Sequence, residues 1–168
     1  MEKYYISYNK IHNIIKSLSE QITESGFDFD YMVAIGTGGF IPARMMKTFI
    51  NKPILTVGIA YYDLNDNIMD KPNIIQWIDD ADKKLEGKKI LLVDEVDDSR
   101  ATIGYCLEKL LNHKPKEIAV VVVHNKEKEK RGLIPDEIKK YFAGETLGDQ
   151  WVCYPWDADD AYEHDKKC

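Results

Sequence analysis

The chain has 168 residues, 44% of them hydrophobic and 31% charged, which suits one domain with a real core and excludes a disordered chain. Lys+Arg 23 against Asp+Glu 29 leaves a net charge of −6, which argues against a general binder of nucleic acid or of anionic membranes. Three widely spaced cysteines, Cys106, Cys153 and Cys168, form neither a disulfide framework nor a zinc motif. The longest aliphatic run, residues 118–123, is too short to cross a bilayer, and the N-terminus lacks a signal-peptide core, so a cytoplasmic protein is expected.

Ile11, Ile14, Ile15, Leu18 and Ile22 lay one apolar stripe along a helix, with Ser7 or Asn9 as its cap and Gly26 as its stop. Residues 31–35 read as a short buried strand that breaks into Gly36-Thr37-Gly38-Gly39. A second helix is expected to start near Pro42, a residue suited to a first helical turn, and to pass through Arg44, Met45 and Met46. Residues 54–60 form the next strand. Residues 61–87 are mostly polar, with an apolar cluster at Ile74, Ile75 and Trp77, and read as a long excursion holding one short strand. Such excursions in compact domains are usually functional or mobile.

The clearest strand-loop-helix unit follows: strand 89–93, loop 94–100 and helix 101–111, which carries Ile103, Leu107, Leu110 and Leu111. Residues 118–123 form an unbroken apolar strand, typical of a parallel sheet covered on both faces. Residues 126–131 (KEKEKR) read as a solvated charge run, and a last short strand covers 151–154. Strands alternating with helices predict an α/β fold with right-handed crossovers. No repeat or linker divides the chain, so residues 1–168 are expected to form one domain with an acidic tail at 158–168.

In an open parallel sheet, ligands bind beyond the carboxyl ends of the strands. Three strand ends here carry unusual residues. Asp94, Glu95, Asp97 and Asp98 crowd four carboxylates into five residues, which costs stability unless a cation or a hydroxyl-rich ligand relieves the repulsion. Ser99, Arg100, Ala101 and Thr102 follow at a helix start, where hydroxyls, backbone N–H groups and the helix dipole make a phosphate cradle. Acids beside a phosphate cradle fit a phosphorylated sugar; the plainer alternative is an acidic surface loop with Ser99 as cap. Val96 and the missing glycine exclude an EF-hand.

Gly36-Thr37-Gly38-Gly39 lets backbone amides approach an anion, or simply makes a tight turn. Arg44, further into the next helix, either points back toward a bound phosphate or is solvated. Trp151, Tyr154 and Trp156 either stack on a flat heterocycle or fill the core beneath a terminal strand.

Residues 94–102 (DEVDDSRAT) resemble the phosphoribosyl-pyrophosphate loop of type I phosphoribosyltransferases. Residues 34–46 (AIGTGGFIPARMM) resemble the pyrophosphate loop of that family, and 151–157 (WVCYPWD) the purine-binding segment of its 6-oxopurine branch. YISYN at 5–9 and QWID at 76–79 look like the yeast-type and archaeal enzymes of that branch. The resemblance covers roughly residues 5–157. It implies a parallel sheet flanked by helices, with a small C-terminal purine-binding hood. The implied reaction is purine salvage: magnesium-dependent transfer of 5-phosphoribosyl from phosphoribosyl pyrophosphate (PRPP) to N9 of hypoxanthine, guanine or xanthine. The products are the nucleoside monophosphate and pyrophosphate.

By that resemblance Asp94 and Glu95 hold the ribose hydroxyls and, through them, magnesium, and Asp98 exchanges the purine N7 proton. Ser99, Arg100, Ala101 and Thr102 hold the 5-phosphate. Thr37, Gly38 and Gly39 hold pyrophosphate, with Arg44 or a second magnesium compensating for the cation that many relatives carry at Thr37. Lys126 donates to the purine O6, with Lys128 as the other choice. Trp151 stacks on the base, Val152 reads its edge, and Asp157 joins them at the purine and holds or orients a second magnesium. Residues 61–87 would form a lid, with Tyr61 and Tyr62 near its base. A cytoplasmic homodimer without nucleic-acid or membrane partners is implied. Two rivals stand beside this reading: a non-catalytic PRPP or purine sensor of the same fold, and a signalling receiver domain built on the LLVDE acid pair.

Overall fold

The structure, a computed structural model, describes all residues except 63–67, and side chains except those of 62–71. Fourteen segments follow in order. They are β1 (Lys3–Tyr5), α1 (Tyr8–Glu24), β2 (Tyr31–Gly36), α2 (Phe40–Phe49), β3 (Ile54–Tyr62), β4 (Ile68–Gln76), α3 (Ala81–Leu85) and β5 (Lys89–Asp97). After them come α4 (Ala101–Leu111), β6 (Glu117–Lys126), β7 (Lys140–Leu147), β8 (Trp151–Cys153), a 3-10 turn (Pro155–Asp157) and α5 (Ala161–Asp165). The main sheet runs β4-β3-β2-β5-β6-β7. Every neighbouring pair in it is parallel except β3 and β4. A separate parallel pair, β1 and β8, joins the two ends of the chain.

Alternate residues of the central strands feed two cores. Met32, Ala34, Leu91, Val93, Val121 and Val123 pack under α1 and α2. Val33, Ile35, Leu92, Val120 and Val122 face Ile103, Leu107 and Leu110 of α4. Burial on both faces is why these strands read as unbroken apolar runs. In α1, Ser7 is the cap and its hydroxyl accepts from the Lys10 amide at 3.2 Å. Ile11, Ile15, Leu18 and Ile22 are buried from end to end, each contributing about 1.5–3 kcal/mol.

Several expected boundaries move. The helix expected near Pro42 begins at Phe40, because the loop closes on itself: the Gly39 amide donates to Ile35 O and the Phe40 amide to Thr37 O. Pro42 falls in the first turn, where a missing N–H costs nothing. The loop expected at 94–100 shrinks, because β5 continues to Asp97, pairing Asp94 with Val122, Val96 with His124 and Asp97 with Asn125. The acids therefore begin inside the sheet. Residues 61–87 hold the end of β3, the nine-residue β4 and α3, with 63–67 outside the described residues. Pro72 is tolerated in β4 because that strand is the sheet's edge. Neither β1 nor β7 is expected from the sequence; β7 is a partly buried edge strand and lacks a strict apolar alternation. Among the described residues, no helix is long and apolar enough to cross a membrane.

Candidate active site

A cleft of about 340 Å³ opens beyond the carboxyl ends of β2, β3 and β5. Its walls come from Gly36, Thr37 and Gly38 after β2, Ile59 and Tyr61 of β3, Asp94 and Glu95 of β5, and residues 98–102. The geometry therefore brings together the glycine loop, the acid pair and the phosphate turn. The glycines are needed for contact. A Cβ on Gly39 would lie 2.6 Å from Val93 O and 2.7 Å from Ile35 O, and one on Gly38 would collide with the Glu95 carboxylate. The Gly36–Thr37 peptide is cis.

Asp94 is buried, and its carboxylate accepts from the Glu95 amide at 2.9 Å. Burial first, then the neighbouring Glu95 charge, pushes its carboxyl well above the usual carboxylate range. Both causes disfavour the ionised form of the Asp94 carboxyl. Ser99 Oγ lies 3.4 Å from the Ala101 amide, and Arg100 takes a left-handed φ of 64° just ahead of α4.

Asp98 faces the second half of the site. Its Oδ1 lies 3.1 Å from Lys128 Nζ and 3.3 Å from Lys126 Nζ. Lys126 ends β6 with its side chain only 5% exposed, and its ammonium sits 5.8 Å from the Trp151 ring. It is not part of a solvated run. Lys128 also pairs with Asp149 at 2.7 Å. Trp151 is 58% exposed and available for stacking, whereas Tyr154 is buried and stacks on Trp156 with ring centroids 4.5 Å apart. The aromatic segment thus divides between platform and core. Val152 pairs with Tyr4 in the small sheet.

Two expected site residues lie elsewhere. Arg44 is exposed, its guanidinium 3.5 Å from Thr48 Oγ1 one turn along α2, and it does not line the cleft. Pro42, Ala43 and Met46 form the buried face of α2, and Arg44 lies off it. Asp157, the last residue of the 3-10 turn, lines a second cavity of about 640 Å³ with Trp151 and Val152, which groups it with the expected base-binding residues and apart from Asp94 and Glu95, with which it was also expected as a metal ligand. Among the described residues, no three His, Cys, Asp or Glu side chains form a metal cluster.

The structure also gives Asp97 partners that the sequence did not show, and adds His124. Asp97 is fully buried and receives Arg100 and Tyr141. His124 Nδ1 lies 2.8 Å from the Tyr154 hydroxyl, which donates to Glu95 O at 3.0 Å. Since that hydroxyl has one hydrogen, His124 must donate from Nδ1. Its Nε2 is buried without a hydrogen-bond partner, 3.5 Å from Glu145 Oε2. Burial pulls the His124 imidazole down to about 4, against the opposing pull of Glu145. The i, i+3 spacing of Asp97 and Arg100 was the one signal in the sequence for any of these.

The phosphoribosyl transferase domain matches residues 7–160. The chain belongs to the phosphoribosyltransferase family. It is 38% identical to xanthine phosphoribosyltransferase 1 of Saccharomyces cerevisiae, over 97% of this chain and 93% of that protein. The hypoxanthine-guanine phosphoribosyltransferase of Schizosaccharomyces pombe is 38% identical over the same shares. Among solved structures, a hypothetical protein from Neisseria gonorrhoeae with bound ppGpp superposes with a TM-score of 0.91. It has 45% identity and covers 98% of this chain and 94% of its own. The family expectation and the parallel α/β fold are borne out, and membership in the phosphoribosyltransferases removes the receiver-domain reading.

Proposed function

We propose that this phosphoribosyltransferase acts in purine salvage, moving the 5-phosphoribosyl group of PRPP to N9 of a 6-oxopurine. The observation that carries the reading is the position of Asp98. It stands at the mouth of the phosphate turn, with Lys126 and the exposed Trp151 ring on its other side. A sugar phosphate held at residues 99–102 and a base lying on Trp151 would meet at this carboxylate.

The bond from the anomeric carbon to the pyrophosphate oxygen breaks, the bond to N9 forms, and the N7 proton passes to Asp98. A positioned base of this kind contributes about 100- to 10,000-fold. Thr37, Gly38 and Gly39 receive the leaving pyrophosphate through backbone amides, where charge grows in the transition state. Lys126 donates to O6, which favours an oxo over an amino purine. Asp94 and Glu95 fit a magnesium ion shared with the sugar hydroxyls, since Asp94 is buried beside a second acid and no third acid completes a protein-only site among the described residues. When bound, the ion would offset charge on the diphosphate. Asp157 belongs with the base, beside Trp151. The test is turnover of a 6-oxopurine that depends on PRPP and magnesium and collapses in Asp98→Asn.

A second reading of the same cleft rests on the Neisseria gonorrhoeae structure with bound ppGpp. We propose that ppGpp competes with PRPP here. Inhibition that PRPP relieves is expected; inhibition that PRPP leaves untouched would contradict it. The sensor alternative has no observation in its favour, because the relatives matched along nearly the whole chain bear the names of enzymes. A cytoplasmic homodimer is the form we expect to act, and sedimentation tests the dimer.

A further inference from the structure

Behind residues 99–102 lies a cluster of charges centred on Asp97, a carboxylate that the proposed reaction does not use. Asp97 is completely buried, and it does not line the cleft although Asp98 does. One of its oxygens, Oδ2, accepts from Arg100 Nε at 2.9 Å, from Arg100 Nη2 at 2.8 Å and from the Tyr141 hydroxyl at 2.8 Å. The guanidinium also lies 5.6 Å from the Tyr141 ring centroid. Lys130 Nζ lies 3.4 Å from the other oxygen, Oδ1, and donates to the carbonyls of Asp97 at 2.6 Å and Asp98 at 2.9 Å. Burial and the Asp97 carboxylate push the Tyr141 phenol up, which keeps it a donor.

A buried carboxylate is expensive unless its partners are well placed, and removing one partner leaves a charge stranded. Such a cluster is more than packing demands. The backbone suggests what it holds. Arg100 sits at φ 64°, a left-handed conformation that is strained for a residue with a Cβ and open to glycine. This is the central residue of the turn that lines the cleft. Its own side chain is clamped to Asp97, the carbonyls on either side of Asp98's amide linkage are held by Lys130, and the amides of Arg131 and Gly132 donate to Ser99 O at 2.9 and 3.1 Å. Gly132 packs so closely on the Arg100 carbonyl that a Cβ there would collide with it.

We infer that Asp97 is a positioning residue for the phosphorylated sugar: with Arg100, Tyr141 and Lys130 it holds the phosphate turn in its left-handed form, and so sets the affinity for PRPP. The inference rests on the reading of residues 99–102 as the phosphate site. It gives the left-handed turn a support in Asp97, Tyr141 and Lys130, none of which lines the cleft.

The test measures PRPP binding by calorimetry without purine, and the KM for each substrate separately, in the wild type, Asp97→Asn, Tyr141→Phe and Asp97→Asn with Arg100→Gly. Asp97→Asn is expected to weaken PRPP about tenfold in both measurements while the purine KM stays within about twofold, a tenfold change being about 1.4 kcal/mol. Tyr141→Phe, which removes one hydrogen bond and no charge, shifts PRPP in the same direction by a smaller factor. Arg100→Gly in the Asp97→Asn background recovers much of the loss, since glycine takes φ 64° unaided; a general structural defect would raise the purine KM along with that for PRPP. If Asp97→Asn fails to fold, Tyr141→Phe carries the comparison. Unchanged PRPP affinity, an equal rise in the purine KM, or no recovery by Arg100→Gly would overturn the inference. A wild type that binds PRPP but converts no 6-oxopurine defeats the proposed function and leaves the calorimetric comparison standing; a wild type that does not bind PRPP defeats both.

Discussion

Replacing Asp98 by Asn keeps its shape and removes its capacity to take a proton. The expected result is a fall in kcat of about 100-fold or more, with PRPP affinity largely retained. The two lysines beside it should separate by burial. Lys126, 5% exposed and close to Trp151, is expected on replacement by Ala to raise the purine KM strongly, while Lys128→Ala, 29% exposed and shared with Asp149, does so weakly. The reverse order in steady-state kinetics would move the O6 contact to Lys128. The acid pair, Asp98 and the phosphate turn were legible because they are contiguous in the chain. The partners of Asp97 were not, because Tyr141 and Lys130 come from the far side of β6 and only the fold brings them together.

His124 yields a prediction of a different kind. Its imidazole is held near 4 by burial, against an ordinary 6.5. Below pH 6.5 the unfolded chain takes up a proton that the folded chain refuses until about pH 4. Stability should therefore fall as the pH drops from 6.5 toward 4, by up to about 3 kcal/mol from this residue, and be unaffected by it above that window. Thermal unfolding of the wild type and His124→Asn across pH 5 to 7.5 reads this out. Asn can still donate to the Tyr154 hydroxyl and does not titrate, so a slope equal to that of the wild type would contradict the assignment.

At the scale of elements, the segments with one clean period were readable and those that depend on neighbours were not. The stripe of α1 and the double-sided apolar runs of β5 and β6 state their burial directly. The ends of β5 and β6 were read short because polar residues look like loop. Each strand instead supplies the partner that carries the other onward, Asp97 beside Asn125. β1 is three residues long and exists only as the partner of β8. The glycine loop gives an element-scale test. A methyl at Gly39 meets two backbone oxygens that cannot yield, so Gly39→Ala is expected to cost about 1–3 kcal/mol in urea unfolding. At Gly38 the obstacle is the mobile end of Glu95, so Gly38→Ala should be gentler on stability and harsher on pyrophosphate affinity. Equal losses of stability would contradict this division.

For the whole molecule, the net charge of −6 coexists with a local gathering of Arg100, Lys126, Lys128 and Lys130 around the acids of one site. A net negative charge argues against nucleic acid and anionic membranes but not against a small anionic ligand, for which local positive potential is enough. Asp98 lines the cleft at the carboxyl ends of the sheet, and Lys126 links it to the C-terminal segment, with its ammonium 3.3 Å from Asp98 Oδ1 and 5.8 Å from the Trp151 ring. Family, sheet and site order were all readable from three short motifs in sequence. The placement of Arg44 off the cleft, and of Asp157 apart from Asp94 and Glu95, was not, because each depends on which way a helix or 3-10 turn faces.

The most direct measurement is a spectrophotometric assay of the protein with PRPP and magnesium, offered hypoxanthine, guanine, xanthine and adenine in turn. Turnover of at least one 6-oxopurine, none of adenine, and loss of that turnover in Asp98→Asn are expected. Silence with all three 6-oxopurines, from folded protein that binds PRPP, would contradict the central claim.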